Sequence, residues 1–157
     1  MATNNTTTIY KIENPDFNEY FELHVSKTKK IMESHIKSYS KKEKICMDEE
    51  YFGDALGLTI SGFFEPQERP FAYVFFNEEN LNFGIINHEI VHVGMAHERY
   101  VLHFKMNYGD ENDESASIEN EERLAYYVAF VSNAIYKKLI ENKHIKILNY
   151  KSLLTKE

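Results

Sequence analysis

The residues with the clearest chemistry in this chain are two histidines with a glutamate beside the first. They read His88-Glu89-Ile90-Val91-His92, so the histidines stand four residues apart. On an α-helix, positions i and i+4 lie on one face, one above the other, and two imidazoles at that spacing can bind one metal ion. Glu89 then projects beside the metal, where it can accept a proton from a water molecule. The pattern predicts a site for metal-assisted hydrolysis, with His88 and His92 as ligands and Glu89 as general base.

A catalytic zinc ion usually has three protein ligands and one open position, so this site requires another donor. His97 follows His92 by five residues, about 140° around a helix, and should face elsewhere if the helix continues. Glu122 is the better candidate, because it lies just ahead of an apolar helical stripe in segment 117–141. A second helix packed on the first would aim Glu122 at the histidines. The stripe consists of Leu124, Tyr127, Val128, Val131, Ala134, Ile135 and Leu139.

These features together resemble a known family. His88-Glu89-x-x-His92, an acidic linker and Glu122-x-x-Ala125-Tyr126 at the start of an apolar helix are similar to small, gluzincin-like zinc metallopeptidases encoded by phages and prophages. The resemblance covers roughly residues 58–140. This chain departs from the group at Arg123, where Ala is frequent, and in its longer acidic linker. The resemblance implies one zinc ion per chain held by His88, His92 and Glu122, with Glu89 as the catalytic base.

A second polar group usually stabilises the oxyanion that forms during such hydrolysis. Four side chains near the motif are chemically capable of this or of supporting the ligands, and the sequence does not choose among them. They are Tyr126, His97, Tyr100 and Arg123.

An aromatic segment precedes the motif and suggests a class of substrate. Phe71, Tyr73 and Phe75 alternate with smaller residues, as in a strand with one face in the core. Zincins carry at this place an edge strand that pairs with an extended peptide, so a polypeptide substrate is predicted along segment 71–77. Pairing of this strand on both sides would leave no room for a peptide, and would favour a non-catalytic protein.

Two other functions remain open at this point. The first is a non-catalytic, metal-binding regulatory or interaction protein built on the same scaffold. The intact Glu89 argues against it, because a structural metal site needs no base. The second is an interaction protein in which the motif is fortuitous. A zinc titration separates this second alternative from the other two interpretations.

Composition limits the remaining possibilities. The 157 residues suit a single zincin-like domain, 1–157, with its metal-binding core at about 56–141. A net charge of −7 argues against general nucleic-acid binding. The start of the chain lacks the pattern of a signal peptide, no long apolar run suggests a membrane span, and Cys46 is the only cysteine. A cytoplasmic protein is expected, with its oligomeric state left open.

Seven lysines between Lys27 and Lys44 predict a solvated helix face, with docking of an acidic partner as the alternative.

The coarse order of elements predicts an α+β fold. We expect a strand at 7–13, a helix from Pro15, and a hairpin of strands 56–64 and 71–77 joined by a Pro-rich turn. The metal helix should span about 82–104, and an acidic loop should follow at 106–118. A long helix should then run to Glu141, and a last strand is expected in 145–154. The predicted architecture is a minimal zincin-like fold. A small antiparallel or mixed sheet would pack on the metal helix and on a second long helix.

Overall fold

Seven elements form the described part of the chain. The computed structural model describes residues 6–14, 19–44, 55–61, 70–104 and 114–145. In chain order the elements are β1 (Thr7–Asn14), β2 (Glu19–Ser26), α1 (Lys29–Glu43), β3 (Gly57–Ser61), β4 (Ala72–Asn77), α2 (Phe83–Phe104) and α3 (Glu114–Glu141). The predicted α+β class is confirmed, with a mixed four-stranded sheet and three helices in this part of the chain. Within the same residues, no helix combines the length and the apolar content that a membrane crossing requires.

The sheet places β4 in its interior and β3 at its edge. The strand order is β1-β2-β4-β3, with β1 antiparallel to β2, β2 parallel to β4, and β4 antiparallel to β3. All six residues of β4 are buried, as expected of a strand covered on both faces. Among the described strands, β3 pairs only with β4, so its other edge faces away from the sheet.

Helices cover both faces of the sheet. On one face, Met32 and Ile36 of α1 pack with Ile60, Tyr73 and Phe75. On the other face, alternate residues of β2 and β4 pack against α2 and α3 in a larger core. That core includes Phe21, Leu23, Val25, Val74, Phe76, Ile86, Ile90, Val93, Val131, Ile135 and Leu139. The sheet therefore separates α1 from the helix that carries the histidine pair.

Helix α1 has ordinary ends and a solvated outer face. Thr28 caps its start, where its hydroxyl oxygen accepts a hydrogen bond from the Ile31 amide at 3.2 Å. Lys44 ends it in the left-handed conformation, at φ 55°. The solvated lysine face predicted for this segment is confirmed, because the side chains of six of its lysines are exposed. They are Lys27, Lys30, Lys37, Lys41, Lys42 and Lys44.

A cluster of titratable side chains lies between β2 and α1. The buried His24 pairs through Nδ1 with His35 Nε2 at 2.8 Å, and through Nε2 with Glu22 Oε2 at 3.0 Å. Tyr39 donates to the same carboxylate oxygen at 2.6 Å. Burial alone would raise the pKa of the Glu22 carboxyl, but the hydrogen bonds from His24 and Tyr39 outweigh it and hold that pKa below its usual range. Burial first, and then the neighbouring His24, lower the pKa of His35.

Helices α2 and α3 pack antiparallel at close distance. Asn82 caps α2, its side-chain oxygen accepting from the Ile85 amide at 3.1 Å. Along the pair, the Tyr136 hydroxyl donates to Asn87 at 2.9 Å, and Gly94 lies against α3. A Cβ atom at Gly94 would stand 2.5 Å from Val128 Cγ2, so the close approach of the helices requires glycine there. These contacts fix the register of α3 on α2.

Several predicted elements hold, one is wrong and one is wrong in part. The first strand, the antiparallel pairing of segments 56–64 and 71–77, the helix that carries the histidine pair and the long helix to Glu141 are confirmed. The helix predicted from Pro15 is wrong, since β2 occupies Glu19–Ser26 and the helix begins only at Lys29. Helix α3 begins at Glu114, inside the predicted loop 106–118, whose earlier residues lie outside the described residues. Most of the predicted strand 145–154 lies outside them too.

Candidate active site

The histidine pair converges at the surface of α2. His88 and His92 are both exposed, and their Nε2 atoms are 3.1 Å apart. Two ligand nitrogens of a tetrahedral zinc ion, each about 2.0–2.1 Å from the metal, stand roughly 3.3–3.4 Å from each other. The arrangement therefore fits two positions of one zinc site. It follows from the helix itself, because one helical turn brings both rings to the same point on the surface.

Glu89 lies beside the pair and is buried, with 4% of its surface exposed. Its Oε2 atom accepts a hydrogen bond of 2.7 Å from the Thr59 hydroxyl on β3. Gly57, two residues earlier on the same face of β3, touches the rest of the carboxylate. A Cβ atom built there would stand 3.2 Å from Glu89 Cγ and 3.3 Å from Oε1. The edge strand thus contacts both the aliphatic part and the carboxylate of the predicted base.

A cleft of about 910 Å³ opens between β3 and α2. Segment 55–59 and Ser61 form one wall, and His88, Glu89, His92 and Arg99 stand on the other. The residues with the predicted chemistry thus face one solvent-accessible space. Among the described strands the outer edge of β3 is unpaired, and β3 itself lines the cleft that the histidines face.

Glu122 does not reach the histidine pair, contrary to the prediction. Residue numbers fall along α3 as they rise along α2, since Asn87 meets Tyr136 and Gly94 meets Val128. His92 is therefore level with the residues near position 130, and Glu122 is about eight residues further along, or about 12 Å at a rise of 1.5 Å per residue. Among the described residues, no group of three or more His, Cys, Asp or Glu side chains is arranged to hold a metal ion.

The predicted auxiliary residues also lie away from the cleft. His97 is fully buried, pairs with Glu19, and stacks on Tyr127 at 3.4 Å between ring centroids. His97 therefore faces away from the histidine pair, as predicted, and cannot stabilise an oxyanion in the cleft. Tyr100 is buried against Phe71 in the core.

The other two auxiliary candidates sit on α3 and are equally remote. Tyr126 is 75% exposed, and Arg123 binds the carboxylate of Glu98 through its guanidinium group. None of the four lines the cleft.

The predicted substrate strand is corrected by the sheet topology. Segment 71–77 does not present a free edge, because β4 pairs with β2 on one side and with β3 on the other. Tyr73 and Phe75 are buried under α1, and Phe71 packs in the opposite core. Among the described strands, it is β3 that has an unpaired edge next to the cleft.

Sequence reasoning missed three residues that the structure places in the cleft. Arg99 follows His92 by seven residues, which is about two helical turns, so helical periodicity could have placed it on the same face. Gly57 and Thr59 carry no motif. Their role depends on the packing of β3 against α2, which a single sequence does not reveal.

Comparison of the chain with protein-family models, with curated proteins and with solved structures gave no match in any of the three.

Proposed function

We propose that this chain is a zinc-dependent hydrolase of zincin-like architecture that cleaves peptide bonds with water. The observation that carries the proposal is the convergence of the His88 and His92 Nε2 atoms, 3.1 Å apart, at a cleft in which the buried Glu89 is held by the edge strand. A structural metal site has no use for a buried carboxylate beside its ligands, whereas water-dependent hydrolysis requires one.

Zinc is the metal that best suits this pair. Neutral imidazole nitrogen is a preferred zinc ligand, and both nitrogens face the open cleft rather than the core. When bound, zinc would supply Lewis acidity that makes water a better nucleophile and polarises the substrate carbonyl.

The proton transfers belong to Glu89. Its carboxylate accepts a proton from the attacking water as the new carbon–oxygen bond forms. It then delivers that proton to the nitrogen of the leaving amine as the carbon–nitrogen bond breaks. Of the two carboxylate oxygens, the Thr59 hydroxyl binds Oε2 at 2.7 Å, and it also lies 3.4 Å from the Glu89 main-chain oxygen, so the carboxylate keeps acceptor capacity for this proton.

The substrate that suits the cleft is an extended polypeptide. Main-chain groups on the outer edge of β3 can pair with a peptide strand, which would then run beside the histidines. Ser61 is a small residue on this wall of the cleft, and Arg99 adds a positive charge. A peptide would therefore pair with β3 and not with segment 71–77.

The test combines metal content with hydrolysis. The purified chain should contain close to one zinc ion and should cleave fluorescently labelled casein, an unfolded protein. Glu89→Gln should retain zinc and lose hydrolysis by about 10²–10⁴-fold, because it removes the base and preserves its size. Glu141→Gln, an exposed position at the end of α3, is the matched control and should behave as the wild type. Casein cleavage by Glu89→Gln at the wild-type rate would refute the mechanism.

Two observations favour the non-catalytic alternative. The first is the pairing of β4 on both sides, which leaves no room for a peptide along segment 71–77. The second is the number of metal donors. Only two metal donors converge within the described residues, and two donors are fewer than catalytic zinc usually has. A metal-binding regulatory protein would bind zinc with equal affinity in the wild type and in Glu89→Gln, and neither would cleave casein. That combination of results would replace the proposal of an enzyme.

A further inference from the structure

We propose that Thr59 is a positioning residue that orients the carboxylate of Glu89 from the edge strand. This inference rests on the proposed function, since it concerns the base of that reaction. The observation behind it is the 2.7 Å hydrogen bond from the Thr59 hydroxyl to Glu89 Oε2, which joins β3 to α2 across the cleft wall.

The direction of this hydrogen bond follows from chemistry. An ionised carboxylate only accepts hydrogen bonds, so the Thr59 hydroxyl must be the donor. Bonds from a hydroxyl to a charged acceptor are among the stronger ones in proteins. Thr59 is also β-branched, and its χ1 angle is restricted by the strand. Its oxygen therefore stands at a well-defined point, whereas the longer glutamate side chain has three rotatable bonds.

Gly57 restricts the position of the Glu89 side chain from the other side. Because it has no side chain, the strand approaches Glu89 closely enough for Thr59 to reach Oε2. A Cβ at Gly57 would already be 3.3 Å from Oε1 and 2.8 Å from Ile85 Cγ2. One oxygen is thus bound by Thr59, and the side chain is confined on the other side by the backbone of Gly57.

Strand β3 would therefore determine both where a peptide binds and where the Glu89 carboxylate lies. The outer edge of β3 is the candidate peptide-binding edge, and the Thr59 side chain of the same strand holds the base. The distance between a bound peptide and the Glu89 carboxylate is then fixed by the geometry of a single element. Misplacement of a catalytic group by about 1 Å can cost about 10²-fold in rate, so loss of the hydroxyl should be visible in turnover.

The test uses two substitutions that separate the hydroxyl from the shape. Thr59→Val keeps the branched shape and removes the donor, whereas Thr59→Ser keeps the donor. Thr7→Val is the matched control, because it removes the hydroxyl of another strand threonine, hydrogen-bonded to Ser26 at 2.9 Å and remote from the cleft. Thr59→Ala replaces Thr59→Val if the latter does not fold, as judged by circular dichroism.

Two readouts are measured on the full-length variants. Crystal structures should show Glu89 Oε2 displaced by about 1 Å or more in Thr59→Val and unmoved in Thr59→Ser, on the scale at which positioning affects rate. In casein hydrolysis, Thr59→Val should lower kcat about 10- to 100-fold with little change in KM. Thr59→Ser should keep most of the wild-type kcat. Zinc content should be the same in all variants.

The outcomes separate this inference from the proposed function. An unmoved Glu89 carboxylate in the Thr59→Val crystals, or a kcat equal to that of the wild type, would overturn the role of Thr59. Absence of casein cleavage by the wild-type protein would instead refute the hydrolase proposal. In that case the position of Glu89 in the variant crystals still decides whether Thr59 orients it.

Discussion

Zinc should stabilise the folded chain through His88 and His92 without being required for folding. A ligand that binds only the folded state at a hundredfold excess over its Kd adds about 2.7 kcal/mol to the free energy of unfolding. For a chain of this size, about 1 kcal/mol raises Tm by about 2–4 °C. The expected increase in Tm is therefore about 5–11 °C.

The same structure predicts how the metal-free protein behaves. The core between the sheet and helices α2 and α3 consists of buried apolar side chains that do not depend on the histidines. Chelation should therefore remove the zinc-dependent increase in Tm and leave the chain folded. Because His88 and His92 are exposed, alanine at either position should change the metal-free stability by no more than about 0.5 kcal/mol.

Differential scanning calorimetry with and without zinc measures both effects. His88→Ala and His92→Ala should each lose most of the increase in Tm, whereas Val91→Ala, an exposed position on the same helix, should keep it. An equal increase in the wild type and in both histidine variants would show that zinc binds elsewhere. Unfolding of the chelated wild type, seen by circular dichroism, would show that the metal is structural.

Three further predictions address the rest of the site and the opposite face of the sheet. Glu122→Ala should keep wild-type zinc affinity in equilibrium dialysis, because Glu122 is remote from the pair; strong loss of zinc would show that α3 is placed differently in solution. Gly57→Ala should lower the free energy of unfolding in urea by about 1–3 kcal/mol through overpacking against Ile85, and adding Ile85→Ala should recover part of this loss. Stability should fall as pH drops below about 6.5, since the pKa of His35 is lowered in the folded state and the unfolded chain takes up the proton first. Urea titrations should show that the free energy of unfolding depends less on pH in His35→Gln than in the wild type. An identical pH dependence in the two proteins would contradict the role given to His35.

The sequence predicted the helix that carries the histidine pair well, because the pattern that indicates this helix is local. The His88–His92 spacing, the apolar positions around it and the Asn82 cap all belong to one continuous segment. The antiparallel pairing of β3 and β4 was accessible for the same reason, since the two strands are close neighbours in the chain. In such cases a regular pattern and its boundaries determine the structure without reference to distant residues.

The error at β2 shows where local information is ambiguous. Phe21 and Val25 are four residues apart, a spacing that fits one turn of a helix and also two repeats of a strand. Leu23 resolves the ambiguity, because it lies on the same buried face as Phe21 and Val25 only in a strand. The neighbouring Glu22 and His24 point to the opposite face, where they pair with each other and contact α1.

The placement of Glu122 depends on information that is not local. A helix with an apolar stripe can pack on α2 at several registers, each shifted by about one turn, and all of them bury the same kind of surface. The observed register is selected by the fit of Val128 against Gly94 and by the stacking of Tyr127 on the buried His97. Neither contact belongs to a motif, yet together they move Glu122 about 12 Å from the histidines. A motif that joins residues of two helices therefore predicts a metal site only when the packing between those helices is known as well.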